Sequence, residues 1–315
     1  MVGGLATATR ATSPLQIYSA GPGSGFLPYA RGLSAFLHSA GIDSTVVETA
    51  GSIENIRRLS GDPRGVGTVF MGSAFEAYTG IGDWNDGTRF TDLRALFPMY
   101  ETSFAVAAIT TSGIHGMSDL DGKRVGVGPR GGPAAVYFAG VTNDLHLHAT
   151  PVYGQPAELV DALLSGTIDA LWQGAPAPIP ALVDVVTRAP AVVFGLTEAE
   201  QSAMVVRFPF LAPTTVTAHT YTGQSAPIRS VGAWNFVLAH QDFPDEDAYR
   251  ITGAALSAAD PSRQIDPSAV GTRAEKAAIN SFLPFHPGAA RYYRERGVAG
   301  IRRGKWVEKW RLGNT

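Results

Sequence analysis

The chain has 315 residues, 45% of them hydrophobic, which is enough apolar material for one large packed domain or two ordinary ones and argues against disorder. Acidic and basic residues nearly balance, at 27 and 25, so the charge asymmetry typical of a nucleic-acid partner is missing. Cysteine is absent, which excludes disulfides, thiolate metal sites and cysteine nucleophiles. No apolar run approaches the ~20 residues of a membrane span. The first dozen residues have neither the basic start nor the apolar stretch of a signal peptide, so we expect any export signal to lie outside this sequence.

The first part of the chain alternates short strands with helices. Strands are predicted at 15–19, 44–48, 66–70 and 93–100, and helices begin at Phe26, Ser52 and Ser73. Such alternation favours a mainly parallel sheet that is covered by helices on both faces.

Two glycine-rich turns are the most informative local feature. Lys123–Gly140 reads as a strand, a turn rich in glycine and a helix whose first residue is Pro133, a position that needs no N–H group. A helix N-terminus of this kind, with Arg130 beside it, is suited to hold an anion. A second copy of the pattern lies near the start of the chain, where the turn contains Gly21, Gly23 and Gly25 and the helix starts at Phe26. The two copies predict two similar α/β units about a hundred residues apart.

The remaining segments predict a chain that leaves one unit, builds another and returns. An apolar strand at 104–110 leads to the second unit, and strands at 216–219 and 231–239 bring the chain back. Helices are predicted at 244–256, 272–282 and 287–296. Two crossing segments, near 104–112 and 212–218, make a hinge. We therefore expect a discontinuous lobe 1 (15–104 plus 216–315), a lobe 2 (105–215) and a small ligand between them.

The sequence gives little support to enzymatic chemistry. Gly126–Gly131 formally matches a dinucleotide fingerprint, but no acidic residue follows at the end of a second strand about 20 residues later. His146 and His148 share one face of a strand, but no third ligand completes a metal site, so we interpret them as surface histidines. No serine nucleophile motif is present, because Ser24 is flanked by Pro22 and Phe26. We predict no catalytic residue, no cofactor and no metal, although a nucleotide-cofactor enzyme stays open as an alternative.

One run near the C-terminus carries a family resemblance. His286–Gly297, with the sequence HPGAARYYRERG, resembles the C-terminal signature of TAXI-type solute-binding proteins, the extracytoplasmic receptors of a subclass of TRAP transporters. Further stretches are similar to the family in the same order: 50–55, 74–78, 120–125, 174–178 and 220–224. The resemblance covers about Leu15 to Val298.

The resemblance implies a type II periplasmic binding protein fold, in which two α/β lobes close on a small ligand such as an organic acid or an acidic amino acid. It also implies a periplasmic or otherwise extracytoplasmic receptor that delivers its solute to TRAP membrane subunits and catalyses no reaction. We expect this receptor to be a monomer. A receptor that presents its closed form to a signalling partner fits the same sequence.

The chain departs from the family at three places where a ligand is expected. It has Phe26-Leu27 where relatives often have paired tyrosines, Phe70-Met71-Gly72 in place of a glutamine, serine, aspartate run, and Gly131-Gly132-Pro133-Ala134 in place of a glycine, serine, glycine, threonine turn. Fewer hydroxyls and amides predict a ligand less polar than glutamate, a carboxylate or amide with an apolar or aromatic body. The predicted ligand-binding residues are Ser24, Gly25, Phe26, Ser52, Asn55, Phe70, Met71, Arg130, Gly131, Gly132, Trp172 and Gln173.

Overall fold

A computed structural model describes residues 14–22, 24–82, 84–130, 132–208, 210–299 and 301. The strands in these ranges are β1 Leu15–Tyr18, β2 Ser44–Val47, β3 Gly65–Phe70, β4 Leu93–Ile109, β5 Arg124–Gly126, β6 Thr150–Val152, β7 Ala170–Ala175, β8 Ala191–Phe194, β9 Ala212–Val216 and β10 Ile228–His240. The α-helices are α1 Phe26–Ser39, α2 Ser52–Gly61, α3 Met71–Thr79, α4 Pro133–Asp144, α5 Pro156–Leu164, α6 Pro180–Arg188, α7 Glu198–Arg207, α8 Asp245–Leu256, α9 Pro261–Gln264 and α10 Pro287–Glu295. Short 3₁₀ helices lie at Thr110–Ser112, Met117–Leu120, Pro267–Gly271 and Ala274–Ile279. The predicted α/β class is confirmed.

The described strands form one sheet with a parallel set at each side. Its order is β2-β1-β3-β10-β4-β7-β5-β6, with β8 added beside β4 and β9 beside β10. β1 pairs in parallel with β2 and β3, and β5 pairs in parallel with β6 and β7. We call β1–β3 the first flank and β5–β7 the second flank. The turns that lead into α1, α3 and α4 follow the carboxyl ends of these strands, the edge where ligands bind in open α/β sheets.

Two long antiparallel strands, β4 and β10, connect the flanks. The sequence predicted separate strands at 93–100 and 104–110, but β4 is continuous over 17 residues. The polar residues between the predicted strands do not break it, because the side chain of Asn235 on β10 donates to Thr102 Oγ1 at 2.8 Å. The crossings predicted near 104–112 and 212–218 fall on the end of β4 and on β9.

The core runs without interruption from one flank to the other. One cluster of buried side chains contains Ile17 and Leu33 beside the first flank and Val125 and Trp172 in the second. Smaller apolar clusters lie on the other face of each flank. The apolar positions of α1 recur every three or four residues, as at Ala30, Leu33 and Leu37, so one face of that helix enters the shared core.

Some element boundaries differ from the sequence predictions for local reasons. α3 starts at Met71 rather than Ser73, so Met71 is its first residue and not the end of a strand. The helix predicted at 272–282 is a 3₁₀ helix at Ala274–Ile279, and it ends where Asn280 exchanges side-chain hydrogen bonds with the backbone of Leu283. The described part of the chain contains no helix that is both long and apolar enough to cross a membrane.

Candidate functional site

In the first glycine turn, one side chain of the turn forms a hydrogen bond to the first residue of α1. Ser24 is half-buried, and its Oγ accepts a hydrogen bond from the N–H of Phe26 at 3.2 Å. Gly25 is the N-cap of α1, and a Cβ added there would lie 3.1 Å from the hydroxyl oxygen of Tyr100. Phe26 is buried, with its ring centroid 6.4 Å from that of Tyr100. Gly23 lies outside the described residues.

Tyr100 places a neutral hydroxyl over this turn. The residue lies on β4 and is buried, and burial raises its pKa well above the usual value. No hydrogen bond joins this hydroxyl to another residue that the structure describes. It is therefore an available donor beside the start of α1.

The second glycine turn has the geometry that the sequence predicted. Gly128 has a φ of +81°, which favours glycine, Gly132 is the N-cap of α4 and Pro133 occupies its first turn. No described side chain caps this helix. The N–H of Gly132 donates to the Pro129 carbonyl at 3.0 Å and Pro133 has no N–H, so only the N–H groups that follow Pro133 can serve an anion. Gly131 lies outside the described residues.

Gln173 and Arg130 flank this turn differently. The side chain of Gln173 is 6% exposed, and its Nε2 is buried with no hydrogen-bond partner among the described residues. This nitrogen lies 3.9 Å from where a Cβ on Gly128 would be, beside the turn. The Arg130 side chain is exposed, with its guanidinium 3.9 Å from the ring centroid of Tyr153. An unpaired buried amide needs a partner, and a ligand is one way to supply it.

Ser52 and Asn55 serve the framework around the first flank. Ser52 Oγ accepts a hydrogen bond from the Phe70 N–H at 3.0 Å. Asn55 is fully buried, and its amide donates to the carbonyls of Ser19 and Thr68 at 2.6 and 2.8 Å. Asn55 Oδ1 also accepts from the Thr49 hydroxyl, so the polar atoms of this side chain are all used within the protein.

Aromatic rings fill the space between the flanks. Tyr137 on α4 is 1% exposed, and its ring centroid lies between 5.2 and 5.5 Å from those of four phenylalanines: Phe70, Phe104, Phe208 and Phe210. Trp172 stacks on Phe104 at 5.5 Å with an interplanar angle of 10°, and its indole N–H donates to the Ala134 carbonyl. Met71 does not join this group, because it packs in the cluster on the other face of the first flank.

Gly72 brings the two sides into direct contact. A Cβ added at this position of α3 would lie 2.0 Å from the Tyr137 hydroxyl oxygen, 2.6 Å from Phe70 Cε1 and 2.7 Å from Phe210 Cε2. Only glycine admits the rings this close to the helix. The tyrosine hydroxyl therefore lies against the start of α3, and burial raises its pKa well above the usual value.

Sequence reasoning missed several residues of this site. Tyr100, Tyr137, Phe104, Phe208 and Phe210 were not predicted, because aromatic residues on strands and helices are most often simple core residues. One available signal was the position of Tyr137, which lies one helical turn after the residues of the glycine-rich turn.

The site contains no buried charge. Among the described residues, no Asp, Glu, Lys or Arg side chain is buried. The described part of the chain also holds no group of three His, Cys, Asp or Glu residues placed to bind a metal. Nδ1 of His148, one of the paired histidines noted in the sequence, lies 3.3 Å from Asp121 at the surface.

A family model places this arrangement in a known group. The model of the NMT1-like family matches residues 17–297. The chain belongs to the NMT1-like family. That span contains both glycine turns, Gln173 and all the rings between the flanks.

Solved structures share the fold of this NMT1-like chain at low sequence identity. MatC from Rhodopseudomonas palustris with bound malate has a TM-score of 0.55 at 15% identity, over 92% of this chain and 99% of that one. Rpa4515 from R. palustris with adipate also has a TM-score of 0.55, at 14% identity over 91% and 96%. The periplasmic binding protein BugD has a TM-score of 0.52, at 11% identity over 92% and 98%. The predicted type II periplasmic binding protein fold is confirmed.

Proposed function

We propose that this chain is an extracytoplasmic solute-binding protein that captures a small organic acid between two lobes and delivers it to a TRAP-type transporter. The observation that carries the proposal is the unpaired amide of Gln173 beside an uncapped helix N-terminus, on a fold that binds ligands at this edge. Two proteins of the same fold were solved with malate and adipate bound. The TAXI-like run at His286–Gly297 supports this subclass of receptor.

The lobes of the proposal are residues 15–104 plus 216–315 and residues 105–215. Each lobe then contains one flank and one glycine turn, and β4 and β10 run between them. Rotation about these strands would separate α3 from α4 and open the space that the rings now fill. A ligand that binds both lobes would favour the closed form by its differential affinity.

The proposed ligand is a carboxylate with an apolar or aromatic body. Its anionic end lies at the start of α4, where Gln173 donates a hydrogen bond and Arg130 is near the entrance. Its apolar body lies against Phe26, Phe70 and Trp172. Ser52 and Asn55 act indirectly in this arrangement, because they fix the ends of the strands that carry the site.

Three measurements test the proposal. Native mass spectrometry of the protein as purified should reveal a small bound molecule, and a panel of organic acids should raise the melting temperature of the emptied protein. Calorimetry should then show aromatic or aliphatic acids binding more tightly than glutamate or 2-oxoglutarate. Micromolar binding of glutamate or 2-oxoglutarate, with aromatic acids silent, would contradict the ligand class. A panel without any thermal shift would contradict the receptor function.

A further inference from the structure

The N-terminus of α4 and the neighbouring Gln173 side chain form a candidate binding site for an anionic group. At the start of α4, the N–H of Gly132 donates to the Pro129 carbonyl, but no described side chain caps the helix and no acidic residue lies in its first turn. The buried amide of Gln173 lies beside this start without a partner. An N–H-lined helix start and an amide donor together stabilise one carboxylate without a buried cation. Arg130 is exposed beside this place and adds positive charge only at its edge.

At the other helix starts on this edge of the sheet, some N–H groups already have side-chain partners, and no buried amide nitrogen of the described residues lacks a partner beside them. At the start of α1, the N–H of Phe26 donates to Ser24 Oγ. At the start of α2, the N–H of Gly51 donates to Thr49 Oγ1. In α5 and α6, the N-cap N–H groups of Gln155 and Ile179 donate to Glu158 Oε2 and to the hydroxyl of Tyr221.

The start of α3 is blocked by rings. The Tyr137 hydroxyl and the edges of Phe70 and Phe210 lie within 2.7 Å of where a Cβ on Gly72 would be. A second carboxylate placed here would displace aromatic rings and find no buried cation, since no Lys or Arg among the described residues is buried. The guanidinium of Arg207 lies 5.5 Å from the Phe208 ring centroid but is already paired with Asp144 at 2.7 Å. Burying an ionised carboxylate without a paired charge or a full set of hydrogen bonds is strongly unfavourable.

Within the proposed function, we infer that this site selects by ligand charge: it accepts a monocarboxylate and rejects the dicarboxylate of the same length. The carboxylate binds at the start of α4 with Gln173, and the rest of the ligand lies among neutral groups, the rings and the hydroxyls of Tyr100 and Tyr137.

Matched acids test the inference directly. Hexanoate and adipate have the same number of carbons and differ only in that a terminal methyl group of one is a carboxylate in the other, as do 4-ethylphenylacetate and 1,4-phenylenediacetate. In calorimetry at pH 7.5, we expect each monocarboxylate to bind at least about tenfold more tightly than its dicarboxylate partner. A dicarboxylate that binds as tightly as its partner, or more tightly, overturns the inference and leaves the receptor function intact. If none of the four acids binds and native mass spectra show no bound small molecule, both the receptor function and the inference built on it fail.

Three variants separate the roles of charge and shape. Gln173→Met removes the amide donors at similar volume and should weaken monocarboxylate binding about tenfold. Phe26→Arg places a cation beside Tyr100, in the first glycine turn, and should raise the affinity for adipate relative to hexanoate about tenfold. Phe26→Met loses the ring without gaining a charge and should leave that ratio unchanged. Melting curves confirm that each variant is folded. An unchanged ratio in Phe26→Arg would overturn the inference.

Discussion

The contact between Gly72 and Tyr137 gives the sharpest test of how the two sides meet. Replacing Gly72 with alanine adds a Cβ that would lie 2.0 Å from the tyrosine hydroxyl oxygen, where real contacts stay beyond 3.0 Å. The oxygen therefore has to retreat by about 1 Å, and the phenylalanine ring edges at 2.6 and 2.7 Å restrict where it can go. Overpacking of this kind costs about 1–3 kcal/mol.

A second glycine provides the matched control. Gly61 ends α2 and has no atom within 4 Å of an added Cβ, so Gly61→Ala should be neutral or should stabilise the helix by up to about 1 kcal/mol. Gly72→Ala gains the same helix propensity, but its new Cβ also clashes with the Tyr137 hydroxyl. We expect the two variants to differ by about 1–3 kcal/mol in the free energy of unfolding in urea, measured by circular dichroism.

A double-mutant cycle identifies the cause of the loss. Tyr137→Phe removes the nearest atom, so it should recover part of the stability that Gly72→Ala loses, with a coupling of at least about 0.5 kcal/mol. If Gly72→Ala is as stable as Gly61→Ala, the close approach of α4 to α3 is not the form that the protein adopts in solution. A cycle without coupling would show that the tyrosine hydroxyl is not the clashing atom.

Three further predictions concern the framework and the site. Asn55→Ala should lower the free energy of unfolding by about 1–3 kcal/mol, because the Thr68 carbonyl loses its side-chain donor, whereas the Ser19 carbonyl keeps the Thr49 hydroxyl; an unchanged free energy in urea unfolding would contradict this role. Burial lowers the pKa of His286 below its usual 6.5, so on acidification the unfolded chain takes up a proton at this residue before the folded chain does. The free energy of unfolding should therefore fall as the pH drops below about 6.5. His286→Gln should remove that part of the pH dependence in urea titrations at pH 5–8. Gln173→Met should not lower the melting temperature, since it removes an unpaired buried amide, and a large drop would show that the amide has a structural partner.

The sequence determined the α/β class, both glycine turns and the start of α4. These features depend on local chemistry: β-branched residues form the strands, glycine permits the φ of +81° at Gly128, and Pro133 suits a first helical turn. The run from His286 to Gly297 indicated a type II periplasmic binding protein fold, and the structural neighbours confirm that fold. Which of the predicted residues contact a ligand is still a prediction.

The tertiary structure decided what fills the space between the flanks. Asn55 could not be assigned from sequence, because a buried amide binds a ligand or ties strands together depending on which carbonyls come within reach, and here Ser19 and Thr68 do. Phe70 and Met71 are adjacent in sequence but enter different clusters, since β3 ends and α3 begins between them. Tyr137 meets Gly72 only because α4 and α3 come together from opposite flanks of the sheet. Local sequence patterns fix turns and helix starts, whereas contacts between distant segments depend on the packing of the whole chain.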